Sequence, residues 1–178
     1  QSGVNEATED GAVVTGQLTE TDVDTSDTHT YSLVTGPAEI SVVVNTDGSY
    51  TFDPCTDFQY LTVVETRAVS YTFEVEDSAD VTAQNTVTIT VTGTNDAPVA
   101  QSGVNTATED GAVVAGQLTE TDSDTSDTHT YSLVTGPAEG SVVVDPDGSY
   151  TFDPGTDFQD LAVGETRAVS FTFEVEDS

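Results

Sequence analysis

The feature that most constrains this chain is that it starts over. Gln1-Ser2-Gly3-Val4-Asn5 returns as Gln101-Ser102-Gly103-Val104-Asn105, a period of 100 residues. Residues 1–78 and 101–178 differ only at positions 6, 15, 23, 40, 45, 46, 55, 60, 62, 64 and 71 of the first copy. A repeat of this length is enough for a self-standing domain and too long for the short units of a solenoid. Two modules are therefore expected, a complete one over 1–97 and a second over 98–178. The second has no counterpart of Ala79 to Ala100 and so lacks its last strand. The joint is Gly93-Thr94-Asn95-Asp96-Ala97-Pro98-Val99-Ala100. Pro98 fixes φ and biases Ala97 towards an extended conformation. Asn95 and Asp96 offer oxygen ligands through which a hard cation could stiffen the joint.

Within a module the periodicity is that of strands. A broken first strand, bent at Gly16, is expected over Ala12 to Leu18. Thr19 to Asp27 is too polar for core and too rich in Asp for a strand, and reads as a loop. His29, Tyr31 and Leu33 fall on one face of the next strand. Ser41 to Val44 follows, and Asp47-Gly48 carries hairpin chemistry into Tyr50-Thr51-Phe52. Phe58 and Leu61 are expected to pin a loop to the core. Ala68 to Glu76 places Tyr71, Phe73 and Val75 on one side. Thr86 to Thr92 places Val87, Ile89 and Val91 inside and four threonines outside. Strands with short turns and no helical period describe all-β, tandem antiparallel β-sandwich modules joined by a short linker. The missing strand leaves an open edge in the second module, liable to pair with another chain, and strand 86–92 of another copy could complete it. Ile40, Cys55 and Val64 stand where the second copy has Gly140, Gly155 and Gly164, so positive φ at those glycines would imply strain in the first copy.

The net charge of −31 comes from 33 acidic residues against Arg67 and Arg167. That balance excludes a general nucleic-acid binder and an anionic membrane surface as partner. Cys55 is the only cysteine, so neither an intramolecular disulfide nor a cysteine zinc site can form. His29 and His129 are equivalent positions of different modules and read as packing or sheet rim. The Arg residues read as partners of nearby acids. No serine-nucleophile, phosphate-loop or dinucleotide fingerprint is present, and without Trp there is no sugar platform between paired acids, so no enzyme is expected.

The acids instead point to calcium, which takes six to eight oxygens in a flexible shell and can share carboxylates from separate loops. The loop Asp22-x-Asp24-x-x-Asp27, repeated as Asp122-x-Asp124-x-x-Asp127, gathers three carboxylates that would otherwise repel. It lacks the central Gly and distal Glu of an EF-hand, and no RTX nonapeptide is present.

Ser49-Tyr50-Thr51-Phe52-Asp53-Pro54, then Phe58, Leu61 and Glu65-Thr66, then Phe73-Glu74-Val75-Glu76-Asp77, then Thr88-Ile89-Thr90-Val91-Thr92-Gly93-Thr94-Asn95-Asp96-Ala97-Pro98 resembles a VCBS repeat. That family is a cadherin-like, immunoglobulin-like module of giant bacterial RTX adhesins. The second copy keeps its pattern as Leu161-Ala162-Val163-Gly164-Glu165, and the first departs from it at Val64. The resemblance implies a secreted or cell-surface bacterial protein with calcium at module junctions. By analogy with cadherin-like joints, the preceding module would offer Glu9 and Glu65, the linker Asn95 and Asp96, and the following module Asp122, Asp124 and Asp177. Asp22, Asp24 and Asp77 would face a module before the first. The function this implies is a calcium-stiffened extender of a long surface adhesin, its partners being neighbouring repeats. The alternative is a repeat that itself binds carbohydrate or self-associates in adhesion or biofilm.

Overall fold

The computed structural model describes residues 4–24, 26–54 and 57–178. All regular elements among them are β-strands, and they gather into two compact units, Gln1–Asp96 and Ala97–Ser178.

Unit 1 is built from β1 (Val4–Thr8), β2 (Val14–Gln17), β3 (Thr30–Thr35), β4 (Val42–Val44), β5 (Ser49–Phe52), β6 (Thr66–Glu76) and β7 (Thr82–Thr92). They form two sheets, β1-β7-β6-β3 and β2-β5-β4. All ladders are antiparallel except that of β1, which runs parallel to β7. The long hairpin β6–β7 pairs without interruption from Thr66↔Thr92 to Glu76↔Thr82. Period-two alternation drives its packing. Val69, Tyr71 and Phe73 of β6 and Val87, Ile89 and Val91 of β7 join Tyr50 and Phe52 of β5 in one core, and Ile89 is 0 % exposed. Phe58 and Leu61 are buried in the same cluster, as the sequence implies. Tyr50 and Tyr71 meet with ring centroids 5.6 Å apart and a tilt of 58°.

Four local differences from the sequence reading have identifiable causes. The opening residues Val4–Thr8 are a strand although Val-Asn-Glu-Ala-Thr shows no alternation, because β7 supplies a parallel partner. β7 begins at Thr82, ahead of the apolar run, because β6 extends as a template beside it. The ladder of β3 shifts between Leu33 and Thr35, and Leu33 turns outward at 37 % exposure, away from the buried Tyr31. The loop between β4 and β5 spans four residues, with positive φ at Gly48 alone among them. That is a type I turn closed by a left-handed glycine, not a two-residue hairpin.

Of the three copy differences at glycine, one carries strain. Val64 sits at φ 64° where Gly164 takes φ 88°. At position 40 the backbone reorganises instead: Gly140 takes φ 74° while Ile40 does not and packs on the core. Cys55 lies outside the described residues. A β-branched residue in the left-handed region costs about 1–3 kcal/mol, and Val64 is 80 % exposed, so its side chain returns little. Val64→Gly is expected to stabilise unit 1 by about 1 kcal/mol, a rise of about 5 °C in its melting temperature. Calorimetry of the variant beside the parent checks this, and an unchanged melting temperature contradicts it.

Unit 2 holds β8 (Val99–Gln101), β9 (Val114–Gln117), β10 (Thr119–Thr121), β11 (Thr130–Thr135), β12 (Ser141–Val144), β13 (Ser149–Asp153) and β14 (Thr172–Glu176). The sheets are β12-β13-β9, β11-β14 and β10-β8. β14 is the counterpart of only the second half of β6. The reason lies in the ladders of unit 1. Thr72 to Glu76 lie between β3 and β7, whereas Thr66 to Tyr71 pair with β7 alone. Within the 178 residues nothing corresponds to β7, and residues 166–171 belong to no strand. Residues 102–108, the region of β1, are likewise outside any strand, and Val104 is 102 % exposed. Tyr150 and Phe152 are only half-buried, although Tyr50 and Phe52 are core residues.

Candidate metal centre

The acid loop and the long hairpin meet because β3 is the antiparallel partner of β6. The register Thr30↔Glu76 sets the residues just before β3 beside the residue just after β6. Asp77 opens the turn into β7. Its Oδ1 accepts the N–H groups of Ala79 at 2.8 Å and Val81 at 2.9 Å, and Asp80 takes a left-handed φ of 61°, which Asp tolerates. Asp22 is held from both sides. Its Oδ1 accepts the Asp24 N–H at 2.9 Å, and its Oδ2 lies 2.9 Å from His29 Nε2. Asp27 completes the group: carboxylate oxygens of Asp22, Asp27 and Asp77 lie within 4.8 Å of one another.

The electrostatics reflect this crowding. The Asp24 main-chain N–H, then the His29 ring, hold the Asp22 carboxyl below its usual range. The Asp22 hydrogen bond, followed by the charges of Glu20, Asp22 and Asp27, raises His29 against an opposing desolvation effect. His29 Nδ1 lies 3.4 Å from Glu20 Oε1. The His29 ring is thus held between Asp22 and Glu20 as a partner of the acid loop.

Unit 2 repeats the hydrogen bonds of Asp22, and the close trio of carboxylates is found in unit 1. Asp122 Oδ1 accepts the Asp124 N–H at 2.9 Å, Asp122 Oδ2 lies 2.8 Å from His129 Nε2, and Asp124 is buried. Asp127 is pushed up, first by burial and then by the negative charges of Asp124, Asp122 and Asp177. Calcium–oxygen bonds run about 2.3–2.6 Å, so oxygens sharing one ion sit up to about 5 Å apart. Three hard carboxylates at this spacing fit such an ion and supply at least three of its six to eight oxygens.

The predicted ligands therefore divide. Asp22 and Asp77 come together, and Asp177 acts electrostatically on Asp127 beside Asp122 and Asp124. Asp24 is outside the close trio of unit 1 and contributes its N–H to Asp22. Asp27, named in the acid loop but not among the expected ligands, takes its place. The signal was available: Asp27 stands three residues before β3 and Asp77 one after β6, so antiparallel pairing alone makes them neighbours.

Glu9 and Glu65 lie at the end of unit 1 where β6 begins. Glu9 is 0 % exposed. Its Oε1 accepts the Thr94 N–H at 2.5 Å and the Thr94 hydroxyl at 3.1 Å, and its own N–H donates to Thr92 O at 3.1 Å. Glu65 accepts the Gly93 N–H on its carbonyl at 2.8 Å and the Thr62 N–H on Oε2 at 3.2 Å. The two glutamates clasp the end of β7. Asn95 Nδ2 donates to Asp96 O at 3.4 Å, and Asp96 is half-buried. Arg67 pairs with Glu39 at 2.9 Å, and Arg167 with Glu139 at 2.9 Å and Asp160 at 2.6 Å, the acid-neutralising role expected of them.

The two-sheet all-β frame of unit 1, whose first strand runs parallel to its last, is that of an immunoglobulin-like β-sandwich, and its sequence recurs over residues 101–178. The sequence model of the bacterial Ig domain matches residues 2–90, half of the chain, and that of the bacterial cadherin-like domain matches residues 95–178. The chain belongs to the bacterial Ig domain family, and residues 95–178 are similar to the bacterial cadherin-like domain. No curated protein matches it. Among solved structures it is similar to mouse cadherin-23 EC22-24, at 17 % identity and a TM-score of 0.56, over 98 % of this chain and 62 % of that one. It is also similar to the protocadherin gamma B2 extracellular cadherin domains 3–6, at 16 % identity and 0.53, over 88 % of this chain and 38 % of that one. For Drosophila N-cadherin EC1-4 the values are 20 % and 0.50, over 88 % and 40 %. At these identities the likeness is one of fold, and the chain spans less than two thirds of each.

Proposed function

We propose that this chain is a calcium-binding structural repeat of an extracellular bacterial surface protein, an extender in a long adhesin and not an enzyme. The observation that carries this is the convergence of Asp22, Asp27 and Asp77 within 4.8 Å in a chain with almost no basic side chains to neutralise them. An acid group of this density is stable when a cation shares it. Bound calcium would tie the loop before β3 to the β6–β7 turn and so fix one end of the sandwich. The bacterial Ig and cadherin-like family matches, and the extracellular cadherin domains among its structural neighbours, support an adhesion-type repeat outside the cell. The joint ligands implied by the resemblance, Asn95 and Asp96 with Asp122, Asp124 and Asp177, belong to the same proposal, in which calcium removes hinge freedom between neighbouring repeats. Export from low to high calcium would then switch the repeats from loose to stiff.

Extracellular calcium modules bind at about 10⁻⁴–10⁻³ M, and a hundredfold excess over Kd stabilises the bound state by about 2.7 kcal/mol. Saturating calcium is therefore expected to raise the melting temperature by about 10 °C and chelation to reverse it. Asp27→Asn should remove most of the unit 1 heat in a calorimetric titration. Scattering curves of the parent should show a more extended particle with calcium. Absence of binding, with overlaid scattering curves, would leave the acids as a solvating coat and reject the proposal.

A further inference from the structure

The strand that opens unit 2 is short and lies beside the acid loop. β8 pairs antiparallel with β10 in the register Gln101↔Thr119, Ala100↔Glu120 and Val99↔Thr121, and the two make a sheet of their own. All three residues of β8 are exposed, Val99 at 58 %. The side-chain support is polar: Gln101 Nε2 donates to Thr121 Oγ1 at 3.2 Å and to Val99 O at 3.0 Å. A two-stranded ladder of this length, with almost no apolar burial, is marginal in water. Its closure therefore depends on what holds β10. The chain runs from β10 straight into Asp122. Glu120, the middle residue of β10, places Oε1 3.6 Å from His129 Nδ1, and the other nitrogen of that ring lies 2.8 Å from Asp122 Oδ2. One imidazole thus ties the central rung of the ladder to the acid loop. Among the described residues, Asp127 Oδ2 is buried without a hydrogen-bond partner. Besides burial, the charges of Asp124, Asp122 and Asp177 act on that carboxyl. A buried carboxylate oxygen with no donor, amid further carboxylates, fits a hard divalent cation.

We propose that β8 is a strap: its docking on β10 and the occupancy of the unit 2 acid loop by calcium stabilise one another. This rests on the calcium reading given above and adds a regulation to it. Without the cation, repulsion among Asp122, Asp124, Asp127 and Asp177 reaches β10 through Asp122 and His129, and three rungs oppose it weakly. With the cation, the repulsion is neutralised, and Thr119–Thr121 stay extended as a template for β8. Linkage makes the effect mutual, so the factor by which calcium favours closure is the factor by which closure favours calcium. β8 supplies no ligand in this scheme; it positions the residues that lead into the loop. Local elements of low stability are the ones a ligand can order.

The test breaks β8 without touching an acid. Neighbouring strand residues point their N–H groups to opposite sides, so one of Ala100 and Gln101 donates to β10. The double variant Ala100→Pro, Gln101→Pro removes that donor whichever it is. Parent and variants all carry Asp27→Asn, which silences unit 1, so the heat of a calcium titration reports unit 2. Calcium affinity is expected to fall about tenfold in the proline variant. Gln101→Ala, which removes only the side-chain bonds and leaves the strand, should lose about threefold. Ala100→Val should bind as the parent does. Hydrogen exchange of the parent should show protection at 99–101 and 119–121 with calcium that chelation removes, and equal protection of β12 and β13 in every variant shows the fold intact. Unchanged affinity in both the proline and the Gln101→Ala variants would overturn the proposal. So would calcium binding by unit 2 with protection at 99–101 that chelation leaves as it was, since the strap then closes independently of the ion. A parent whose unit 2 binds no calcium removes the calcium reading itself, and this inference with it.

Discussion

Phe52→Ala is expected to destabilise unit 1 by about 4 kcal/mol, whereas Phe152→Ala should cost unit 2 about half of that or less. The two phenylalanines occupy equivalent positions in β5 and β13, in the shared run Ser-Tyr-Thr-Phe-Asp-Pro. Phe52 is fully enclosed, within the cluster that includes Ile89 and Val91 of β7. Phe152 keeps Phe158 as a neighbour, with ring centroids 6.4 Å apart, but no β7 equivalent covers it. Truncation cost follows the area lost plus the cavity left behind, and a half-open site leaves little cavity. Denaturant unfolding with unit-resolved hydrogen exchange reads the two losses in one experiment, at fixed calcium. Equal losses would mean that β7 is not what closes the core.

Gly93→Ala is the second large effect, with an expected loss of about 3 kcal/mol or more in unit 1. The cause is space, not backbone conformation. An added Cβ would meet main-chain carbonyls of Leu61 and Thr62, which no side-chain rotation relieves. Moving them would disturb the Gly93 N–H bond to Glu65 O and the Thr62 N–H bond to the Glu65 side chain, the same clasp that fixes Thr94 on buried Glu9. Gly36→Ala is the control, since its Cβ would find only Leu33 Cδ2 at 3.7 Å, an ordinary contact. Thermal unfolding of the two variants should separate them by more than 10 °C. Similar melting temperatures would remove the clasp from the account of unit 1's stability.

The parts of the fold legible in the sequence are those governed by local alternation. Val87, Ile89 and Val91 announce their face, and so do Tyr71 and Phe73. β1 was not legible, because Val4–Thr8 becomes a strand through a parallel partner more than 80 residues away. Nor was the outward turn of Leu33, since a bulge changes the period without any Gly or Pro to mark it. The candidate site was half legible. Acid density singled out the loop and Asp77, but which acids converge depends on strand register, and register brings Asp27 rather than Asp24 into the close trio. Glu9 and Glu65 were expected as ligands by analogy with cadherin-like joints, and their hydrogen bonds to the Thr94 and Thr62 N–H groups depend on long-range packing that composition does not show.

The parallel pairing of β1 with β7 has a mechanical consequence. Unit 1 is entered through one of these strands and left through the other, and both run the same way over the register Val4↔Thr88 to Thr8↔Thr92. Tension applied at its two ends pulls the strands past each other along their length. The load falls on all the rungs together and does not open them one by one, so the unit meets traction in shear, the direction in which a short ladder yields last.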